Sequence, residues 1–175
     1  MWELYTFWAF VPLLLNYYSE KHLLQLNIPF WSFLAIATGM IGCIIGGFLS
    51  KKYGSAKIAF TAMSCSMICC ILSFFSFEWT LPFFLIFLFV WGLTVVADSP
   101  QFSSIVAQTA VSENKGSALT IVTCIGFAIT VTSIYTITFI YEKTNHAPWV
   151  FLLLAPGPLI GLWKLKPLLK EKAFE

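Results

Sequence analysis

The sequence contains no arginine; all ten of its basic residues are lysines. That absence removes the planar guanidinium fork usually used to grip carboxylates and phosphates. Charge of either sign is scarce, 10% of 175 residues, against roughly a quarter in soluble domains. The net charge of +2 and the lack of lysines interleaved with aromatics exclude a phosphate-tracking surface, so nucleic acid is not an expected partner. Histidine is almost missing too. His22 and His146 both fall in breaks between apolar runs, away from Cys43, Cys65, Cys69, Cys70 and Cys124. Without a nearby imidazole or carboxylate these thiols are expected to be packing groups rather than metal ligands, and no metal or cofactor is implied. Motifs of membrane or soluble enzymes (H-E-x-x-H, G-x-S-x-G, a phosphate-binding glycine loop) are absent, and no enzyme is expected. Met1 is followed by Trp2 and Glu3 rather than by a basic start and a small-residue cleavage site, so the first apolar run is expected to stay in the mature protein.

What is present is hydrocarbon. Fifty-nine per cent of the residues are hydrophobic, eighteen are phenylalanine, and the mean hydropathy is +0.85. Six apolar stretches, at about 2–18, 29–49, 58–77, 81–107, 118–141 and 148–165, are separated by polar or turn-rich breaks, with a lysine-rich tail at 166–175. Each is long enough to cross a bilayer as a helix, the first and last only just. Runs such as Phe83 to Val90 do not alternate apolar with polar residues, which rules out barrel strands. The expected fold is an all-α polytopic membrane protein, a single domain of six transmembrane helices.

Six spans place Lys51, Lys52, Lys57, Lys115, Lys164, Lys166, Lys170 and Lys172 on one side, leaving only Lys21 and Lys143 on the other. The positive-inside rule then puts both termini in the cytoplasm, across the inner membrane of the cell. In the second span Ala35, Gly39, Cys43 and Gly47 recur every four residues, beside Gly42 and Gly46. Such a line lets another helix approach closely, either as static packing or as a sliding contact. Pro156-Gly157-Pro158 is expected to break the sixth span, which requires neighbouring groups to satisfy the freed backbone.

Asp98 is the most informative residue. It follows a long apolar run and stands about ten residues, ~15 Å, from the end of its span. Placing an ionised carboxylate there costs about 2.5–3.5 kcal/mol on insertion scales. Asp98 is therefore expected to face a cavity, pair, or take a proton. Thr94, Asp98 and Gln101 recur at helical spacing beside Pro100, and form a candidate substrate or proton pathway together with Glu3. A protonated Asp98 that only ties two helices together is the alternative. The fifth span carries Thr120, Thr123, Thr130, Thr132, Ser133, Thr136 and Thr138, most of which are expected to bond back to their own helix.

Gly47-Phe48-Leu49-Ser50-Lys51-Lys52-Tyr53-Gly54 resembles the cytoplasmic signature G-x-L-a-D-[RK]-x-G of the major facilitator superfamily, with Lys51 at the acidic position. Glu113-Asn114-Lys115-Gly116-Ser117-Ala118 resembles that superfamily's E-x-[RK]-G-x-A motif between helices 10 and 11. Trp2 to Trp8 and Ala97 to Ser103 are similar to helices 7 and 10 of prokaryotic facilitators. The resemblance covers essentially the whole chain as helices 7 to 12, the C-terminal six-helix half. It implies a small-solute transporter working by alternating access, with Glu3, Asp98 and Gln101 toward substrate and Gly47, Lys51, Lys52 and Gly54 at a cytoplasmic gate. It also implies residues preceding the Trp2–Glu3 pair and a second six-helix half, so that a fragment, a split subunit and a homodimerising half-transporter are all open. A non-transporting accessory or scaffold subunit, or an inactive remnant, is the rival class.

Overall fold

A computed structural model describes residues 1–144 and 148–171. His146 and Lys172 lie outside the described residues, as does the side chain of Lys170. The described residues form seven α-helices: α1 (Leu4–Lys21), α2 (Ile28–Tyr53), α3 (Ser55–Ser76), α4 (Leu81–Ala97), α5 (Ser99–Thr109), α6 (Lys115–Lys143) and α7 (Pro156–Glu171). Short 3-10 turns, Ser112–Asn114 and Pro148–Leu154, precede the last two. α4 and α5 form one kinked span.

Among the described residues, five helical stretches are long and apolar enough to cross a membrane: Ile28–Tyr53, Ser55–Ser76, Leu81–Thr109, Ser112–Lys143 and Trp149–Leu169. α1 is the sixth member of the bundle. It is less apolar because Asn16, Ser19, Glu20 and Lys21 occupy its final turns, yet Phe7, Phe10, Val11, Leu14, Leu15 and Tyr18 form a buried stripe along it. Large apolar side chains elsewhere, including Phe33, Met40, Phe83 and Val131, are exposed. A water-soluble chain would bury such a surface, whereas lipid solvates it.

The helices outrun the apolar stretches because polar caps and basic last turns continue the backbone pattern. Asn27 Oδ1 accepts from Phe30 N at 3.1 Å and Pro29 sits in the first turn, so α2 starts at the polar edge of its span. Lys51 and Lys52 then extend it into the headgroup zone, where cations favour a helix C-terminus. Gly54 alone separates α2 from α3, and its φ of +86° reverses the chain in one residue.

α2 and α4 make the closest helix pair. Thr38 Oγ1 donates to Ala35 O at 2.7 Å and lies 3.1 Å from Phe89 O. A Cβ on Gly92 would sit 2.1 Å from Ala35 O, and one on Gly42 only 2.2 Å from Leu93 O. Gly39, Gly42 and Gly46 of α2 thus form a close seam against α4, while Gly47 lies off it.

The two ends of the bundle differ. At one, Lys21 pairs with Glu78, Tyr18 Oη donates to Trp79 O at 2.7 Å, and the His22 ring lies 2.9 Å from Phe77 O. At the other, Ser55 Oγ meets Ser104 Oγ at 3.3 Å and joins the start of α3 to α5, near the exposed Lys51, Lys52 and Lys57.

Candidate functional site

The kink between α4 and α5 is written into the backbone. Pro100 has no N–H to give to Val96, and Gln101 N turns instead to Asp98 O at 3.0 Å. The released Val96 carbonyl lies 3.9 Å from Cys43 Sγ on α2. Asp98 sits at this kink and its side chain caps nothing. It is partly exposed to a half-open pocket of about 570 Å³ bounded by the start of α1, the α4–α5 kink, α6 and α7, with Met63 from α3.

Glu3 lines the same cavity from the first residues of the chain. It is only 6% exposed. Its Oε1 accepts three hydrogen bonds, from Trp91 Nε1 at 2.6 Å, Ser66 Oγ at 2.5 Å and Cys70 Sγ at 3.2 Å. Oε2 has no hydrogen-bond partner among the described residues and is left as an acceptor. A buried carboxylate is tolerated when its acceptor sites are filled in this way.

The N-terminal residues are held by neighbours on three elements. Trp2 Nε1 donates to Leu153 O at 3.2 Å, at the break ahead of Pro156. Ser133 Oγ donates to Trp2 O at 2.7 Å and lies 2.8 Å from Thr6 Oγ1. The Pro156-Gly157-Pro158 break therefore exposes a carbonyl that an indole satisfies, and a Cβ on Gly157 would meet Trp2 Cδ1 at 2.6 Å.

The polar stripe read from the sequence separates in space. Asp98 lines the cavity; Gln101 and Thr94 do not. Gln101 is 2% exposed and its Nε2 lies 3.4 Å from where a Cβ of Gly46 would be, against α2. Thr94 Oγ1 bonds to its own helix, 2.9 Å from Val90 O and 3.2 Å from Trp91 O. On α6, Thr120, Thr130 and Thr132 bond to carbonyls four residues back, whereas Ser133 reaches across to α1.

The loop residues stand apart from the cavity. Gly47 and Gly116 have open space where a Cβ would go, Lys51 and Lys52 are exposed beside Phe48 and Tyr53, and Glu113 and Lys115 flank the start of α6 in solvent. Trp91, Ser66 and Cys70 were not distinguishable in the sequence, since each sits in an apolar run and only the approach of Glu3 gives them a polar role.

No three His, Cys, Asp or Glu side chains are grouped to hold a metal ion among the described residues. Neither a curated protein nor a solved structure matches the chain. The family model of the Major Facilitator Superfamily matches residues 1–173, nearly the full length. With its apolar helices, this chain is an integral membrane protein and belongs to the Major Facilitator Superfamily, a family of secondary transporters of small solutes.

Proposed function

We propose that the six-helix bundle is one half of a transporter that moves a small solute by alternating access, with Asp98 taking and releasing the coupling proton. The observation that carries this reading is a carboxylate with no side-chain hydrogen bond among the described residues, at a proline kink and facing a half-open pocket midway along its span. A kinked helix beside a wet cavity supplies a place where protonation and solute binding meet. Met1, with its amino group, and Glu3 line the same pocket as Asp98. Glu3 is the second solute contact. Gln101 holds the kink from the α2 side, and Thr94 bonds to its own helix one turn before it. Gly47, Lys51, Lys52 and Gly54 form the gating turn, and Glu113, Lys115 and Gly116 the matching turn before α6.

The second half is a further six-helix bundle, from another subunit, a second copy or the same polypeptide. α6 supports it: little of its apolar length is buried, and Thr123, Thr132 and Tyr135 lie on the uncovered side. Hydroxyls there suit a protein neighbour and a solute path better than lipid. The lysine distribution favours insertion in the inner membrane with both termini cytoplasmic.

Accessibility labelling tests the reading without a known solute. In a background whose native cysteines are replaced, Ser103→Cys on the cavity wall is labelled in inside-out and right-side-out vesicles. Alternating access gives labelling from both sides, with a ratio that shifts with pH and ceases to shift in Asp98→Asn. Labelling from one side only, at every pH and with the second half present, overturns it.

A further inference from the structure

The pocket wall is mostly carbon. Trp2, Leu4, Met63, Val95, Phe102 and Ile129 dominate it; among the described residues no Lys, Arg or His side chain lines it, and the Met1 amino group is the cationic group beside its two carboxylates. Against that apolar wall stand two carboxylates, Asp98 and Glu3. Among the described residues the Asp98 carboxylate caps no helix and makes no side-chain hydrogen bond, and Glu3 makes its three hydrogen bonds through one oxygen, leaving Oε2 as an acceptor. The volume of about 570 Å³ falls within the range of ~300–1,000 Å³ typical of small-molecule sites.

We propose that this cavity binds an organic cation with a bulky apolar body, Asp98 acting as counter-charge and Glu3 Oε2 as a second acceptor. The proposal rests on the transporter reading for its physiological purpose, but the binding chemistry is independent of it. An anion would enter an apolar pocket in which two carboxylates outnumber the one Met1 amino group, leaving a net negative charge against it. A neutral solute would gain the apolar contacts and leave a desolvated carboxylate unpaired. A small inorganic cation would find too few oxygens, since such ions take six or more oxygen ligands and most of the wall is hydrocarbon. An organic cation satisfies both features at once: its charge neutralises the carboxylate while its body covers the carbon wall. Trp2 and Phe102, both in the wall, are aromatic, a residue type that attracts cations.

Tetraphenylphosphonium and tetraphenylborate, nearly identical in shape and opposite in charge, provide the test. Each is titrated by equilibrium dialysis into nanodiscs carrying the full chain at pH 7.5, with empty nanodiscs subtracted. The cation is expected to bind at least about tenfold more tightly than the anion, a difference of ~1.4 kcal/mol. Asp98→Asn is expected to remove most of that preference and Asp98→Glu to keep it, while Glu142→Gln, outside the cavity, leaves it unchanged. The native chain alone decides the matter if Asp98→Asn does not fold. Equal affinities, preference for the borate, or a cation preference that survives intact in folded Asp98→Asn overturns the proposal. Labelling from both sides at Ser103→Cys combined with no cation preference means a transporter of another solute class. Cation binding with one-sided labelling means a binding site without transport.

Discussion

The indole of Trp91 donates to the Glu3 carboxylate at 2.6 Å, tying the first residues of the chain to the middle of α4. Ser66 and Cys70 on α3 meet the same oxygen, at 2.5 and 3.2 Å. One acidic side chain thus gathers α1, α3 and α4 around the wall of the cavity. Glu3 itself lines that pocket.

Replacing that donor tests the arrangement. Trp91→Phe keeps an aromatic ring packed against Phe7 and Phe87, whose ring centroids lie 4.9 and 5.5 Å away, and deletes only the N–H and part of the ring. Loss of one hydrogen bond to a buried acceptor is expected to cost about 1–3 kcal/mol. Thermal unfolding in detergent would register it as a lower midpoint. Combining Trp91→Phe with Glu3→Gln should cost less than the sum of the two single changes, because the second removes a partner already lost.

The α2–α4 seam makes a prediction of opposite sign at two glycines. Ala is favoured over Gly in an exposed helix interior by up to about 1 kcal/mol, and Gly47 has open space for a methyl group. Gly47→Ala should therefore be neutral or mildly stabilising. At Gly92 the added Cβ meets the Ala35 carbonyl at 2.1 Å, and backbone cannot rotate away. Gly92→Ala should destabilise by about 1–3 kcal/mol, the usual range for overpacking. Parallel melting curves of the two variants provide the comparison.

Gly54 carries the reversal between α2 and α3 at φ +86°. Any L-residue there is strained by about 1–2 kcal/mol, although the space around it is open. Gly54→Ala and Gly54→Asn should both lower stability by about that amount, since ψ +144° lies outside the left-handed helical well that Asn tolerates. Equal stability of all three chains would show that the turn relaxes without cost.

At the opposite end, the Lys21 ammonium beside Glu78 holds its carboxyl below the usual carboxylate range. A group whose acidity is strengthened by folding contributes above its unfolded pKa, about 4.3 for Glu, and loses that contribution as pH falls through the lower folded value. Glu78 is largely exposed, so the effect is small and screened by salt. The native chain should lose slightly more stability than Glu78→Gln between pH 6 and pH 3, and the difference should shrink in 1 M salt. Melting both at a series of pH values reads it.

Much of the architecture could be read along the chain because the bilayer imposes a one-dimensional requirement. A span needs about 20 apolar residues, and its breaks need polar or turn residues, so hydropathy alone separates the helices. The proline kink at Pro100 and the break at Pro156 were also local, since a missing N–H needs no tertiary partner to disturb a helix. Element edges were harder. α1 continues through Ser19, Glu20 and Lys21, and α2 through Lys51, Lys52 and Tyr53, because polar side chains at a membrane surface extend a helix as readily as they end one. Thr94, Asp98 and Gln101 share helical spacing, yet the bend between α4 and α5 changes the register, so that Asp98 reaches the cavity while Gln101 turns to α2.

The sequence by itself determined a membrane solvent, a bundle of apolar helices, a small-residue line able to form a tight seam, and one acidic residue placed where lipid would penalise it. Family membership was legible too, in the motifs at Gly47 to Gly54 and Glu113 to Ala118. Only the tertiary structure decided which groups meet. Glu3, Ser66, Cys70 and Trp91 lie up to 88 positions apart and converge on a single oxygen. The physical reason is that a hydrogen bond depends on distances of about 3 Å and on direction, which helix packing sets and residue order does not.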